Sequence, residues 1–405
     1  MAKNKGYASS INLPISIPPD WNTDELGNIC KYIKDGDWIE TKDQGGSDYR
    51  LLQISNIGVG SFVETGRFRW ITEKTFSKLG CTQIDNGDIL IARMPDPTGR
   101  SWYVSDLPWP AITAVDVAIV RTIPEKLDGK FLSYYLNSPY CLALVDKFTT
   151  GTTRKRIKRT DIEKLMIPLP SLPEQQAIAN VLSAFDNKVN ILNCQNETLE
   201  ALAQTLFRQW FIEEAEDDWE VGVLPDEFDF TMGLSPPGSS YNENGVGTAM
   251  FQGNADFSFR FPNNRVYTTD PRRFAEKFDT LISVRAPVGA QNMAKEKCCI
   301  GRGVAAFRYK RNTKYHSYTY YKLNSIITEI RRFEDSGTVF GSINKSDFEV
   351  LEVFIPPPEL VDKFDNEVGK LDLKILNNSL QIRTLEKLRD MLLPKLISGE
   401  IRIEL

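Results

Sequence analysis

The sequence predicts an α+β protein made by internal duplication, with two mixed α/β domains and two long helices that pair antiparallel as a coiled coil. Three observations lead there. The phrase TGTTRKRIKRTDIEKLMIPLPSLPEQQ (Thr150 to Gln176) returns in weaker form as SGTVFGSINKSDFEVLEVFIPPPE (Ser336 to Glu359). At one offset of 186 residues, Gly151 falls on Gly337, Ile157 on Ile343, Asp161 on Asp347 and Leu199 on Leu385. A repeat of this length means duplicated domains rather than a solenoid. The third observation is a heptad pattern in the same place of each copy.

Each copy opens with short β-like runs punctuated by Gly, Asn, Asp and Pro: LLQISNIGVG, GDILIAR and TAVDVAIVR, then FDTLISVR and RGVAAFRY. GDILIARMPDPTG (Gly87 to Gly99) resembles FDTLISVRAPVG (Phe278 to Gly289), so Arg93 and Arg285 are expected to end equivalent strands. Proline-rich turns, IPLPSLP and IPPPE, launch helices expected over about 173–212 and 359–397. Pro394 is expected to stop or kink the second.

In the first helix the apolar seam runs through Ile178, Leu182, Phe185, Val189, Leu192, Asn196, Leu199, Ala203, Leu206 and Trp210. The second seam is Phe364, Val368, Leu371, Ile375, Asn378, Ile382, Leu385, Arg389, Leu392 and Leu396. Steps of four and three alternate, and each seam holds one asparagine. Antiparallel register pairing Ile178 with Leu396 sets Asn196 opposite Asn378, a buried polar pair that specifies orientation at some cost in stability. About 38 residues at 1.5 Å each make a spacer of roughly 57 Å, or about one and a half turns of B-DNA. The resulting segments are a first domain over 1–170, a helix over 171–212, a second domain over 213–358, and a helix with tail over 359–405.

Composition narrows the function. The chain has 405 residues and a net charge of −5, so a nucleic-acid surface must be local. No apolar run reaches about 18 residues and MAKNKGYASS lacks a signal-peptide core, so a soluble cytoplasmic protein is expected. Six scattered cysteines without a CxxC pair fit reduced thiols, and His316 is the single histidine. No self-sufficient active site is visible. GSINKS lacks the glycine that a phosphate loop needs before its lysine, GRGVAA leads into a strand-like run instead of a helix, and there is no NPP[FYW] signature.

Charge is segregated along the chain. Residues 213–229 carry nine acids and no base, whereas RKRIKR carries five bases and no acid. Gly301 to Arg332 holds eight Lys or Arg against one Glu, interleaved with Tyr309, Tyr315, Tyr318, Tyr320 and Tyr321. Such patches suit phosphate contacts, with Arg, Asn and Gln available for base edges. The expected DNA contacts are therefore Arg154, Lys155, Arg156, Lys158 and Arg159 on phosphate, with Arg93 and Arg285 facing a groove. Arg100, Arg272, Arg273 and Arg302 are lesser candidates.

LPISIPPDW, NICKYIKDG, LLQISNIGVG, the phrases at Gly151 and Gly341, IPLPSLPEQQAIANVL and LRDMLLPKLISGEIRI together make the chain resemble a type I restriction-modification specificity subunit from Trp21 to Ile403. The resemblance implies two target-recognition domains, each reading one half of a bipartite double-stranded DNA site, with the helices as spacer. It implies two methyltransferase subunits docked on the helical regions, and restriction subunits joined through the complex. It also implies no catalysis by this chain, S-adenosylmethionine, ATP and Mg²⁺ belonging to the partners. The second copy departs from the pattern, with IPPPELVDKF for IPLPSLPEQQ and SINKSD for RKRIKRTD, which implies a weaker phosphate grip there. Two readings from other classes stand beside this one: a coiled-coil scaffold bridging proteins, and a self-contained methyltransferase or nuclease.

Overall fold

The computed structural model describes residues 15–151, 155–216, 218–335 and 342–404. It divides into two compact units, 1–187 with 385–405, and 188–384, so each unit takes in part of both long helices.

The first unit contains strands β1 (Asn22–Glu25), β2 (Cys30–Asp35), β3 (Tyr49–Leu52) and β4 (Trp70–Ile71), then helix α1 (Glu73–Leu79). Strands β5 (Ile89–Ala92), β6 (Ser101–Tyr103), β7 (Ala111–Thr113) and β8 (Val117–Thr122) follow. Helices α2 (Gly129–Leu136), α3 (Pro139–Lys147) and α4 (Arg159–Glu163) precede β9 (Met166–Leu169) and the long helix α5 (Leu172–Arg208). An antiparallel sheet has the order β2-β8-β5-β6, and a smaller one the order β4-β3-β7 with β3 and β7 parallel. β1 pairs with β9, which fastens the start of the domain to the strand before α5.

Local chemistry explains the elements. ILIA and VAIVRT are apolar runs rather than alternating ones because both faces of β5 and β8 are covered. Asp128 caps α2 by accepting from the Phe131 amide, and Ser138 caps α3 ahead of Pro139 at its first position. Ile33, Ile89, Ile91 and Val120 share one core with Phe131 and Tyr135 of α2 and with Leu182 of α5.

The second unit repeats this order with a short helix and a strand added near its start and a strand in place of α1. It contains β10 (Glu220–Val223), α6 (Leu224–Glu227), β11 (Phe228–Met232), β12 (Tyr241–Asn242), β13 (Thr248–Phe251), β14 (Tyr267–Thr268) and β15 (Phe274–Ala275). Next come β16 (Thr280–Ser283), β17 (Gln291–Met293), β18 (Cys298–Ile300) and β19 (Val304–Tyr309). Helices α7 (His316–Ser325), α8 (Ile327–Asp335) and α9 (Lys345–Glu349) lead to β20 (Glu352–Ile355) and the long helix α10 (Pro358–Ser398). The sheet β11-β19-β16-β17 matches β2-β8-β5-β6, the parallel pair β13–β18 matches β3–β7, and β10–β20 matches β1–β9.

One polar device is also duplicated. Asp88 accepts from the Asp85 amide and pairs with Arg121 of β8 at 2.7 Å; Asp279 accepts from the Glu276 amide and pairs with Arg308 of β19. In both copies a buried carboxylate thus closes the turn before a central strand and neutralises an arginine on the strand beside it.

Within each unit the segments of α5 and α10 run antiparallel. In the second unit Asn378 Nδ2 donates to Asn196 Oδ1 at 2.9 Å with both side chains buried, and Phe364 meets Phe207 and Trp210 edge-on. In the first unit Arg389 pairs with Asp186 at 2.7 Å, and Leu396 shares the core of Ile178 and Leu182. Among the seam positions, Leu182, Val189, Leu192, Asn196, Val368, Ile375, Asn378 and Ile382 are buried, while Phe185, Leu199, Leu371 and Leu385 are half-buried. α5 widens into a π turn over Gln209–Glu213, and α10 continues through Pro394 to Ser398, so that proline is not a stop.

α10 also holds α7 by its end. The Asp365 carboxylate accepts from the Tyr318 amide at 3.0 Å, and burial lifts it to about 6 against the pull of that bond and of His316. His316 itself stacks on Phe278 at 4.5 Å, a packing role.

Replacing Asn378 by alanine strands a buried Asn196 amide and should cost about 1–3 kcal/mol in denaturant unfolding, whereas leucine at both 196 and 378 should be neutral or stabilising. Because the folded pKa of Asp365 lies above its unfolded value of about 4, the native state binds more protons between about pH 4 and 6. Stability from this group is therefore lost as pH rises through that window. Asp365→Asn, which keeps an acceptor for Tyr318, should raise the thermal midpoint at pH 7.5 and flatten its dependence between pH 4 and 7.

Candidate nucleic-acid interface

In the first unit the basic phrase lies along the ends of three strands. The Ile157 amide donates to the Arg93 carbonyl at 3.0 Å, and the Arg93 side chain returns a bond from Nε to the Ile157 carbonyl at 3.2 Å. Asp35 at the end of β2 pairs with Arg93 and lies 3.6 Å from Arg159, while Asp116 just before β8 pairs with Arg156 at 3.3 Å. Three guanidiniums thus gather around two carboxylates.

Arg93 does not face a groove. It is buried, its side chain bonds Asp35 and the Ile157 and Val115 carbonyls, and burial together with Arg156 and Arg159 draws its guanidinium below the ordinary value despite Asp35. Its role is to rivet the basic segment to the sheet. Arg100 is likewise buried, donating to the carbonyls of Ile57, Met94, Pro97 and Ile54 at 2.6–3.0 Å. It ties two neighbouring loops together instead of reaching outward.

The rest of the phrase divides. Lys155 is exposed and pairs with Asp146 at 3.1 Å; Arg159 pairs with Glu163 and donates to the Ile33 carbonyl. Lys158 is exposed and, among the described residues, has no ion-pair partner. Arg154 lies outside the described residues. Exposed ion pairs of this kind are worth about 0–1 kcal/mol, so a phosphate competes for these cations at small cost.

In the second unit Arg285 does not match Arg93. The Ile343 amide bonds the Val284 carbonyl at 3.0 Å, as Ile157 bonds Arg93, so Val284 occupies the Arg93 position and the strands align one residue away from the sequence expectation. Val284 is buried, and Arg285 is left exposed beside Ser342 without an ion-pair partner among the described residues. Arg331 of α8 lies against the loop that follows β16, its Nη2 3.4 Å from the Gly289 carbonyl, and Arg332 is also exposed. The first copy has Val145 against the matching Gly99. At this corner the second copy therefore exposes cations of α8 and of the β16 end, where its phrase has SINKSD for RKRIKRTD.

The tyrosine-rich stretch Gly301 to Arg332 is not an aromatic surface for bases. Tyr309, Tyr318, Tyr320 and Tyr321 are core residues, Arg308 is paired with Asp279, and Lys322 is buried with Nζ on the Phe354 carbonyl at 2.7 Å. Burial raises the Tyr318 phenol, which donates to Glu227. Arg302, Lys310, Arg311 and Lys314 remain exposed, Arg302 holding Ser235 Oγ through Nε at 3.3 Å. Arg272 is exposed and paired with Asp270 at 2.6 Å, and Arg273 is exposed with no ion-pair partner among the described residues.

The second unit also anchors its β13–β14 loop in a way the first does not. Buried Arg260 stacks on Tyr320 at 3.7 Å and pairs with Asp372 of α10 at 2.6 Å, and Arg383 donates to the Phe261 and Pro262 carbonyls. No signal in the sequence distinguished Arg260 from a surface arginine. All six cysteines are free thiols, no group of His, Cys, Asp and Glu among the described residues is arranged to hold a metal, and no described helix is long and apolar enough to cross a membrane.

Comparison with known proteins meets this geometry. The specificity subunit of the restriction enzyme MjaIX from Methanocaldococcus jannaschii is 27% identical over 96% of this chain and 95% of its own. A second protein of that organism, assigned as the specificity subunit of type I restriction enzyme MjaX, is 29% identical over the same shares. The crystal structure of a type I restriction-modification S subunit from Mycoplasma genitalium shares the fold, with a TM-score of 0.64 at 19% identity, covering 98% of this chain and all of that one. The family model of the type I restriction modification DNA specificity domain matches residues 18–201 and again 216–390. Two copies of that domain, coinciding with the duplicated topology, make this chain a member of the type I restriction-modification DNA specificity family.

Proposed function

We propose that the chain is the non-catalytic, sequence-reading subunit of a type I restriction-modification enzyme, each copy of the domain recognising one half of a bipartite duplex site. The observation that carries this is the duplication itself. Two domains of one topology keep the framework of strands, turns and β1–β9-type clasps while differing in which side chains stand exposed, as expected of two readers with different targets. α5 and α10 would act as the spacer and, with the scaffolding that the family implies, as the seat of two methyltransferase subunits, restriction subunits joining through the assembly. S-adenosylmethionine, ATP and Mg²⁺ would be bound by those partners in the cytoplasm.

Phosphate affinity in the first half is assigned to Lys155, Arg156, Lys158 and Arg159, with Arg154 beside them in sequence, and in the second half to Arg285 and Arg273. The exposed pair Lys155–Asp146 and the half-buried pair Arg156–Asp116 exchange a carboxylate for phosphate as counterions are released. Substituting Lys155, Arg156 and Lys158 by glutamine should weaken binding across all sequences. The slope of log K against log salt should flatten by about 0.9 for each phosphate that is no longer neutralised. Arg93→Met should instead lower the thermal midpoint, since it strips Asp35 and the Ile157 carbonyl of a buried partner. Unchanged binding by the triple variant would remove the phosphate assignment.

The function as a whole is tested by sequencing the methylome of cells with and without the gene. A two-part methylated motif that disappears with it is expected. Methyl transfer or cleavage by the purified chain alone would favour a self-contained enzyme.

A further inference from the structure

We infer that the β3–β4 loop of the first domain is a preformed recognition finger, with Arg67 and Arg69 reading guanine edges in the first half-site. The inference rests on the DNA-reading function proposed above and adds residues that the basic phrase does not contain.

The finger is built around Arg50. That residue is 2% exposed, and its side chain makes two bonds to Glu64 at 2.8 and 2.7 Å and lies against the rings of Trp109 and Phe68 at 4.3 and 4.8 Å. Glu64, held below the usual carboxylate range by Arg50, accepts in turn from the Thr65 and Gly66 amides. Gly66 turns the chain at φ +68°, and the Arg69 carbonyl returns to the Leu51 amide at 2.8 Å. Asn56 and Val63 close the base through two bonds of 2.9 Å.

On this braced loop Arg67 and Arg69 are exposed and, among the described residues, have no ion-pair partner; Phe68 between them is 59% exposed. Rigid backing with free forked donors is what bidentate base readout requires, because little side-chain and loop order has to be acquired on binding. The finger is also continuous with the basic edge. Arg100 joins the Ile54 and Ile57 carbonyls at its root to those of Met94 and Pro97, and Arg93, adjacent to Met94, is bonded to Ile157. The second domain is built differently at this place. Its β13–β14 loop is pinned to α10 by Arg260 and Arg383, and Arg265 is paired with Asp256 at 2.8 Å.

The test is methylome sequencing of cells in which the wild-type chain, Arg67→Ala or Arg69→Ala serves its own methyltransferase partner. The expected result is that discrimination at a G·C pair in one half of the motif falls roughly tenfold or more. The other half should stay as strict as before, which shows that the variant is folded and assembled. An unchanged motif, or a uniform loss of methylation across both halves, overturns the finger. Absence of any two-part motif with the wild-type chain would instead overturn the underlying function.

Discussion

Antiparallel pairing of the long helices along a buried seam is the constraint on which the remainder rests. Within the second unit it is made specific by one neutral hydrogen bond, Asn378 to Asn196, both side chains being sealed from water. Such a bond adds only about 1 kcal/mol to stability. Its influence on register is larger, because a slip along the seam would bury two amides without partners. Within the same unit Phe207 and Trp210 against Phe364 fit that register.

From that seam each domain is built outward by the same devices: a clasp of two short strands next to the helix, a four-stranded sheet over it, and an aspartate–arginine pair closing the turn before a central strand. The devices are duplicated where they support the sheet. Where side chains leave the sheet the copies diverge. Arg93 rivets a basic segment in one copy, while in the other Val284 fills the same site and the positive charge shifts to Arg285, Arg331 and Arg332. A framework held constant under changing surface residues is what the proposed reading of two different half-sites would require.

Buried arginines carry much of that difference. Arg50, Arg93, Arg100 and Arg260 are each almost wholly enclosed, and each binds carboxylates, carbonyls or rings within its own unit. Removing one partner of the Arg260–Asp372 pair would leave an uncompensated buried charge, which is why such a residue behaves as structure even in a family that handles DNA. An arginine has five donors in a fixed plane, so it can brace a loop against several carbonyls at once, as Arg100 does with four.

The duplication, the order of strands and helices, and the asparagine-bearing seam were legible in residue order, because a heptad period and a repeated phrase survive in one dimension. The proline-set starts of α5 and α10 were legible for the same local reason. Exposure was not. Arg93 and Arg100 were singled out as DNA contacts and are buried, Arg67 and Arg69 were passed over and are exposed, and four of the tyrosines set among the basic residues after Gly301 belong to the core. Which cations meet solvent depends on partners tens of residues away, Asp35 for Arg93 and Asp372 for Arg260, and on a one-residue difference in strand alignment at Val284. Those pairings form only when the chain closes on itself, so the sequence carries the frame of the two domains and the tertiary structure selects which side chains face solvent.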